Sequence, residues 1–528
     1  MRLHRIAAAA AAVVVLALST ATGAAAAAAE DAPLTVRVDT GLLHGDANAT
    51  TRHFLGVPYA KPPVGALRWV APQPATPWSG VREATKAGSH CPQTAAGPGQ
   101  PASADEDCLF VNVTTPRRMA PGAKLPVMVW WHGGGYTSGA GDGYTADRLA
   151  DQGNVIVVTL NYRLGVFGYY GLPGLRGSGT FGLQDQIAGL KWAKRNATAF
   201  GGNPDNLIIF GESAGGMSVC AMLTSPQARG LVDKAIMSSG SCRLNWPAGA
   251  LFPGAPADRP YTSLQQDQAD GLDAAHGNGC QSDELTCMRG KPAADLVALN
   301  QSFSDHLAYG TPVLPLDPAK ALQYGQFAHV PVISGGNRDE ERAFVGGAVM
   351  ADPTLITDQT YPALLKAAFG ADADRVAAQY PLARYGSAPL AWATVTTDAG
   401  WACPTVTADQ ELARHTTVYP YEFADPNAPN VNGINVPGFS PGAAHASDLP
   451  YLFDLGGLDL LKTQPQQDLA ASMIAYWTTF ARTGNPNHAG APKWPAGTAH
   501  GRLQLAPDQI QPVDAAAEHQ CGFWSTIR

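Results

Sequence analysis

At 528 residues, with 45% hydrophobic and 15% charged side chains, the chain has the balance of a globular protein with a sizeable core. Its formal charge of −8 and the lack of any basic run exclude an electrostatic footprint for nucleic acid or an anionic membrane surface. Length alone leaves one large domain or several average ones open.

The first 29 residues read as a separate object. Arg2 and Arg5 form a short positive start, residues 6–18 are apolar, and a polar patch leads into an alanine stretch ending at Ala29. This is the pattern of a secretory signal peptide with a small-residue cleavage site, and the apolar run is short for a membrane span. The expected product is a secreted chain, residues 30–528, with no stable membrane insertion. An oxidising exterior makes its eight cysteines disulfide candidates. Cys91 with Cys108 and Cys280 with Cys287 are local couples, and Cys403 with Cys521 would tie the C-terminal segment to the body. Cys220 and Cys242 either pair or stay buried as thiols. Connectivity stays open at this level.

Farther along, residues 125–131 (LPVMVWW), 155–160 (VIVVTL), 207–210 (LIIF), 232–237 and 330–333 are short, continuous apolar runs. Such runs are expected of strands buried on both faces. Residues 416–423 (TTVYPYEF) make a later strand candidate that Pro420 renders irregular or marginal. Residues 182–200 repeat apolar side chains at three- and four-residue spacing, a helical pattern. Alternating strands and helices predict an α/β architecture: a mostly parallel central sheet flanked by helices. No internal repeat and no linker divides residues 30–528, so a single catalytic domain is expected.

The chemistry centres on Gly211-Glu212-Ser213-Ala214-Gly215, a G-x-S-x-G sequence between the run LIIF and a helical stretch, residues 216–223. A serine on a sharp strand-to-helix bend needs small neighbours, and the helix N-terminus turns free N–H groups toward it. The pattern alone is weak. A second match, Gly438-Phe439-Ser440-Pro441-Gly442, fails because Pro441 has no N–H to donate and no strand precedes it.

A serine hydroxyl also needs a base. In the chain order serine, acid, histidine, the acid follows the run ending at residue 333, where Asp339, Glu340 and Glu341 are adjacent. Histidines 415, 445, 488, 500 and 519 all lie beyond; His445 is the first after TTVYPYEF, in a glycine-containing loop. His132-Gly133-Gly134-Gly135-Tyr136 follows LPVMVWW directly, as the HGGG-type oxyanion loop does in lipases and esterases.

These motifs, with Phe54-Leu55-Gly56-Val57-Pro58-Tyr59-Ala60, Glu106-Asp107-Cys108-Leu109-Phe110-Val111-Asn112, Asn161-Tyr162-Arg163 and Phe200-Gly201-Gly202-Asn203-Pro204, run in order along the chain. Together they resemble the type B carboxylesterase family, whose members share the α/β-hydrolase fold. The resemblance implies Ser213 as nucleophile, Glu340 as acid and His445 as base, with Gly134, Gly135 and Ala214 as oxyanion donors. It implies the disulfides Cys91–Cys108, Cys280–Cys287 and Cys403–Cys521, and no cofactor or metal. Glu212 and Ser239 would join a polar network beside the histidine, and Trp246 would line the acyl side. One departure stands out: Glu341 replaces the glycine of the family's Asp-Glu-Gly motif.

The implied substrate is a small-molecule ester. The segment between Cys91 and Cys108 has no Trp, Tyr or Phe to hold a quaternary ammonium, which argues against choline esters. Aryl and short alkyl esters are the expected class, longer acyl chains the alternative. A non-catalytic, neuroligin-like binding protein is the reading from a different class, and all three catalytic positions being filled weighs against it.

Overall fold

The computed structural model describes residues 29–95, 100–497 and 501–527. Of the leader expected over residues 1–29, residues 1–28 lie outside the described residues, as does His500. The centre of the molecule is an eleven-stranded sheet. Its strands in chain order are β1 (Asp46–Ala47), β2 (Thr51–Pro58), β3 (Phe110–Pro116), β4 (Leu125–Trp131), β5 (Ile156–Leu160) and β6 (Gly202–Glu212). They continue with β7 (Lys234–Ser238), β8 (Val332–Asn337), β9 (Val418–Phe423), β10 (Arg502–Ala506) and β11 (Gln509–Val513). The spatial order is β11-β10-β9-β8-β7-β6-β4-β5-β3-β2-β1. From β10 through β5 every pairing is parallel, and antiparallel strands close both ends.

Period-two alternation divides each central strand between two cores. In β4, Val127, Val129 and Trp131 join one cluster with Leu190 and Val219, while Met128 and Trp130 join the other with Met473 and Trp477. The helices concerned here are α1 (Asp147–Gly153), α2 (Phe181–Asn196), α3 (Ala214–Thr224), α4 (Arg342–Ala351), α5 (Ala388–Thr397), α6 (Cys403–Leu412) and α7 (Gln464–Thr483). Helices α2 and α3 cover the first face, α1 and α7 the second. Continuous apolar runs follow from this double burial. Helices α4 and α5 belong to a third cluster with Tyr361, Leu365 and Trp392. Arg163, just beyond β5, grips both oxygens of Asp185 in α2 at 2.7 and 2.8 Å. Removing either partner of such a buried pair costs about 3–5 kcal/mol.

Two expectations are corrected. TTVYPYEF is neither irregular nor marginal: β9 is an interior strand, buried along its whole length. The Pro420 carbonyl accepts from the Trp494 indole at 2.9 Å, on the side facing β10. Its missing N–H points the same way, at the start of a ladder that first pairs Tyr421 with Leu503, so no bond in the body is lost. Likewise β8 does not end at Ile333 but runs to Asn337. Gly335 permits this, because a Cβ there would lie 2.3 Å from the Tyr421 carbonyl.

Cysteines 91–108, 280–287 and 403–521 pair, and so do Cys220 and Cys242, which joins α3 to the loop after β7. No helix among the described residues is long and apolar enough to cross a membrane.

Candidate active site

The C-terminal ends of β4, β6, β7 and β8 converge on one buried group of side chains. Ser213 stands between β6 and α3 with φ +56° and ψ −126°, a left-handed backbone that β-carbon-bearing residues rarely adopt. The flanking glycines allow it. A Cβ on Gly211 would lie 2.5 Å from Gly215, and one on Gly215 would lie 1.9 Å from the Trp131 carbonyl. The Ser213 N–H donates to the Ser238 carbonyl at 3.0 Å, locking the bend to β7. Ala214 opens the helix, where the first N–H groups have no intrahelical acceptor.

The glycine-rich loop that begins at His132 leaves β4 immediately. Gly134 (φ +102°) and Gly135 (φ +56°) both need glycine's freedom, and neither is fully buried. Each peptide of the loop is clamped from behind. The Gly133 carbonyl meets His132 Nδ1 at 2.8 Å, and the Gly134 carbonyl accepts from the Thr137 N–H at 2.9 Å. Burial holds the His132 ring down to about 4, so it is neutral near pH 7. A Cβ on Gly133 would lie 2.9 Å from Ser213 Cβ and 2.7 Å from Glu212 Oε2, so this loop packs against the bend.

Glu340 and His445 come together. His445 Nδ1 meets Glu340 Oε2 at 2.6 Å. The other oxygen, Oε1, accepts from the Ser239 hydroxyl at 2.6 Å and the Asn337 N–H at 2.7 Å. Three short hydrogen bonds thus orient one buried carboxylate. Glu212 Oε1 lies 3.2 Å from His445 Nε2, yet that oxygen takes part in no hydrogen bond among the described residues. One ring nitrogen is held and the other is left available. Burial pulls the imidazole down, but Glu212 and Glu340 outweigh it and raise His445 to about 9. Burial pushes Glu212 up to about 8. The two shifts oppose each other: with Glu212 neutral, as burial favours, His445 faces one negative partner less.

The neighbouring carboxylates separate cleanly. Asp339 pairs with Arg342 at 2.9 Å and accepts from the Ala443 N–H at 3.0 Å. Glu341 accepts from the Trp401 indole at 2.6 Å. His519 sits elsewhere, between Asp398 and Glu422. Ser440 is exposed in its loop. Trp246 is buried against Trp401, at 5.2 Å between ring centroids. Sequence reasoning missed three residues here: Asn337, and the two aromatics on the imidazole, Trp401 at 4.9 Å and Phe344 at 5.3 Å. Nothing local marks them, since they reach His445 by tertiary packing.

A family model described as the carboxylesterase family matches residues 32–524. Among curated relatives, para-nitrobenzyl esterase of Bacillus subtilis (strain 168) is 36% identical over 476 residues, covering 87% of this chain and 92% of its own. Cocaine esterase of Homo sapiens is 32% identical over 526 residues, covering 90% of this chain and 87% of its own. The solved structure of a thermophilic PNB esterase superposes with a TM-score of 0.76 at 31% identity, over 93% of this chain and 100% of that one.

Proposed function

This chain belongs to the carboxylesterase family and is a carboxylic ester hydrolase, and we propose that it works through an acyl-enzyme on Ser213. Residues 30–528 act as one secreted catalytic unit in this reading. The four disulfides support export, because such bonds persist in oxidising compartments.

The observation that carries the proposal is the half-occupied imidazole: His445 is anchored by Glu340 through Nδ1, while Nε2 makes no hydrogen bond to Glu212, the residue before Ser213. In the first step Ser213 Oγ attacks the ester carbonyl and His445 Nε2 takes its proton. Glu340 fixes the tautomer and stabilises the imidazolium. The N–H groups of Gly134, Gly135 and Ala214 receive the oxyanion, each contributing about 3 kcal/mol to the transition state. The imidazolium then protonates the departing alkoxide. In the second step water gives a proton to His445 and attacks the acyl carbonyl, and the imidazolium returns that proton to Ser213 Oγ as the acyl–oxygen bond breaks and the acid leaves. Ser239 steadies Glu340, and a neutral Glu212 lets His445 shed its proton between steps.

Small aryl and alkyl esters are the proposed substrates. The names of its relatives, a para-nitrobenzyl esterase and a cocaine esterase, support aromatic esters of modest size. Trp246 lines the acyl side in this reading, together with Trp401. The test is a panel of nitrophenyl esters graded from acetate to palmitate. Highest kcat/KM on the short members is expected. A rate that jumps only when a long-chain ester passes its solubility limit would point to a lipase instead.

A further inference from the structure

Glu341 occupies the position where the family resemblance expects glycine, and its side chain is fully buried. Its Oε1 accepts from the Trp401 indole at 2.6 Å and its N–H donates to Thr397 Oγ1 at 3.0 Å. Its Oε2 has no hydrogen-bond partner among the described residues. Burial pushes the carboxyl up to about 7. A half-satisfied buried carboxyl is costly, and such groups persist where they have a task.

What it holds is telling. Trp401 comes from a π-helical turn, Asp398–Ala402, inserted between α5 and α6. Such turns carry one extra residue and often occur at functional sites. The indole lies 4.9 Å from the His445 ring, 5.2 Å from Trp246, and stacks at 5.9 Å on Phe344. One carboxyl therefore grips the edge of an indole that packs on both the imidazole and Trp246. Glycine at position 341 leaves the indole N–H without this acceptor.

We propose that Glu341 is a positioning residue: through Trp401 it sets the orientation of the His445 ring and of the wall between that ring and Trp246. The inference rests on His445 being the base. Glu340 and His445 are the charged groups that face Glu341, and Glu212 and Asp448 also face His445. Asp339 on the same turn is taken by Arg342, and Asp398 on the Trp401 turn by His519 and Tyr380.

The experiment compares Glu341→Gly, Glu341→Gln, Trp401→Phe and His445→Ala on nitrophenyl acetate. Active sites are counted by an organophosphate burst and rates followed across pH. Glu341→Gly and Trp401→Phe should each lose about tenfold in kcat, with KM moved by no more than about twofold. Glu341→Gln keeps an acceptor for the indole and should recover most of that loss. Its acid limb should move to lower pH, because a negative neighbour of His445 is gone. Should Glu341→Gly fail to fold, the other two variants still decide. If His445→Ala is inactive while Glu341→Gln and Trp401→Phe keep the wild-type kcat and pH profile, this inference alone falls. If His445→Ala retains the wild-type rate per active site, the assignment of the base falls and takes the inference with it.

Discussion

His445 and His519 are both buried imidazoles flanked by two carboxylates, yet their surroundings use them differently. His519 bonds at both nitrogens: Nδ1 to Asp398 at 2.5 Å and Nε2 to Glu422 at 2.8 Å. It stands beside Cys521, whose disulfide to Cys403 anchors the C-terminal segment. Among the described residues the His445 ring bonds through Nδ1 to Glu340, and its Nε2 lies 3.2 Å from Glu212 without a hydrogen bond. Carboxylates on both sides make a brace in one place and, in the proposed mechanism, a general base in the other. The deciding feature is a ring nitrogen that meets the carboxyl of Glu212, the residue before the strained Ser213, without a hydrogen bond.

The comparison breaks if the two histidines respond alike to substitution. Ser213→Ala and His445→Gln should each lower kcat by roughly four orders of magnitude or more, and the double variant little further, since they act as one unit. Steady-state hydrolysis of nitrophenyl acetate measures both. His519→Gln should instead destabilise the fold by about 3–5 kcal/mol, leaving two carboxylates without their cation. Its kcat per titrated active site should stay near wild type. Urea unfolding alongside active-site titration separates the two outcomes.

Loss of the Cys220–Cys242 bridge, in the Cys220→Ala/Cys242→Ala variant, should cost about 3 kcal/mol through the freed loop, again with little change in kcat. The bridge ties down the helix that follows Ser213, so a large fall in kcat would mean that it also shapes the bend.

Acidity sharpens the contrast. Burial pulls the His519 ring down, but Asp398 and Glu422 outweigh it and raise it from 6.5 to about 10. A raised pKa means stability that is complete below pH 6.5 and lost as pH climbs through about 10. Wild-type Tm should therefore fall over that window more steeply than that of His519→Gln. In the proposed mechanism His445 must be neutral to accept the serine proton, and its neighbours hold its proton above the ordinary 6.5. The acid limb of kcat/KM should lie above pH 6.5, and rates should rise with pH through it.

Much of this was legible in the residues. Double burial writes itself as unbroken apolar runs, so β4, β5 and the core of β6 stand out. The bend at Ser213 and the loop at Gly134 announce themselves because their backbones demand glycine. Choosing among Asp339, Glu340 and Glu341, or between His445 and His519, needed the family resemblance. Adjacent carboxylates are equivalent along the chain and diverge only when each meets Arg342, His445 or Trp401. Pro420 misled for a related reason: its lost N–H matters by where the neighbouring strand begins, which no local pattern records. Trp401 and Phe344 carried no signal at all.

The most direct measurement is peptide mapping by mass spectrometry after reaction with diethyl nitrophenyl phosphate. One diethylphosphoryl adduct per chain is expected, on Ser213, and almost none over the same time in His445→Gln. An adduct on another serine, or labelling of His445→Gln at the wild-type rate, would contradict the proposed mechanism.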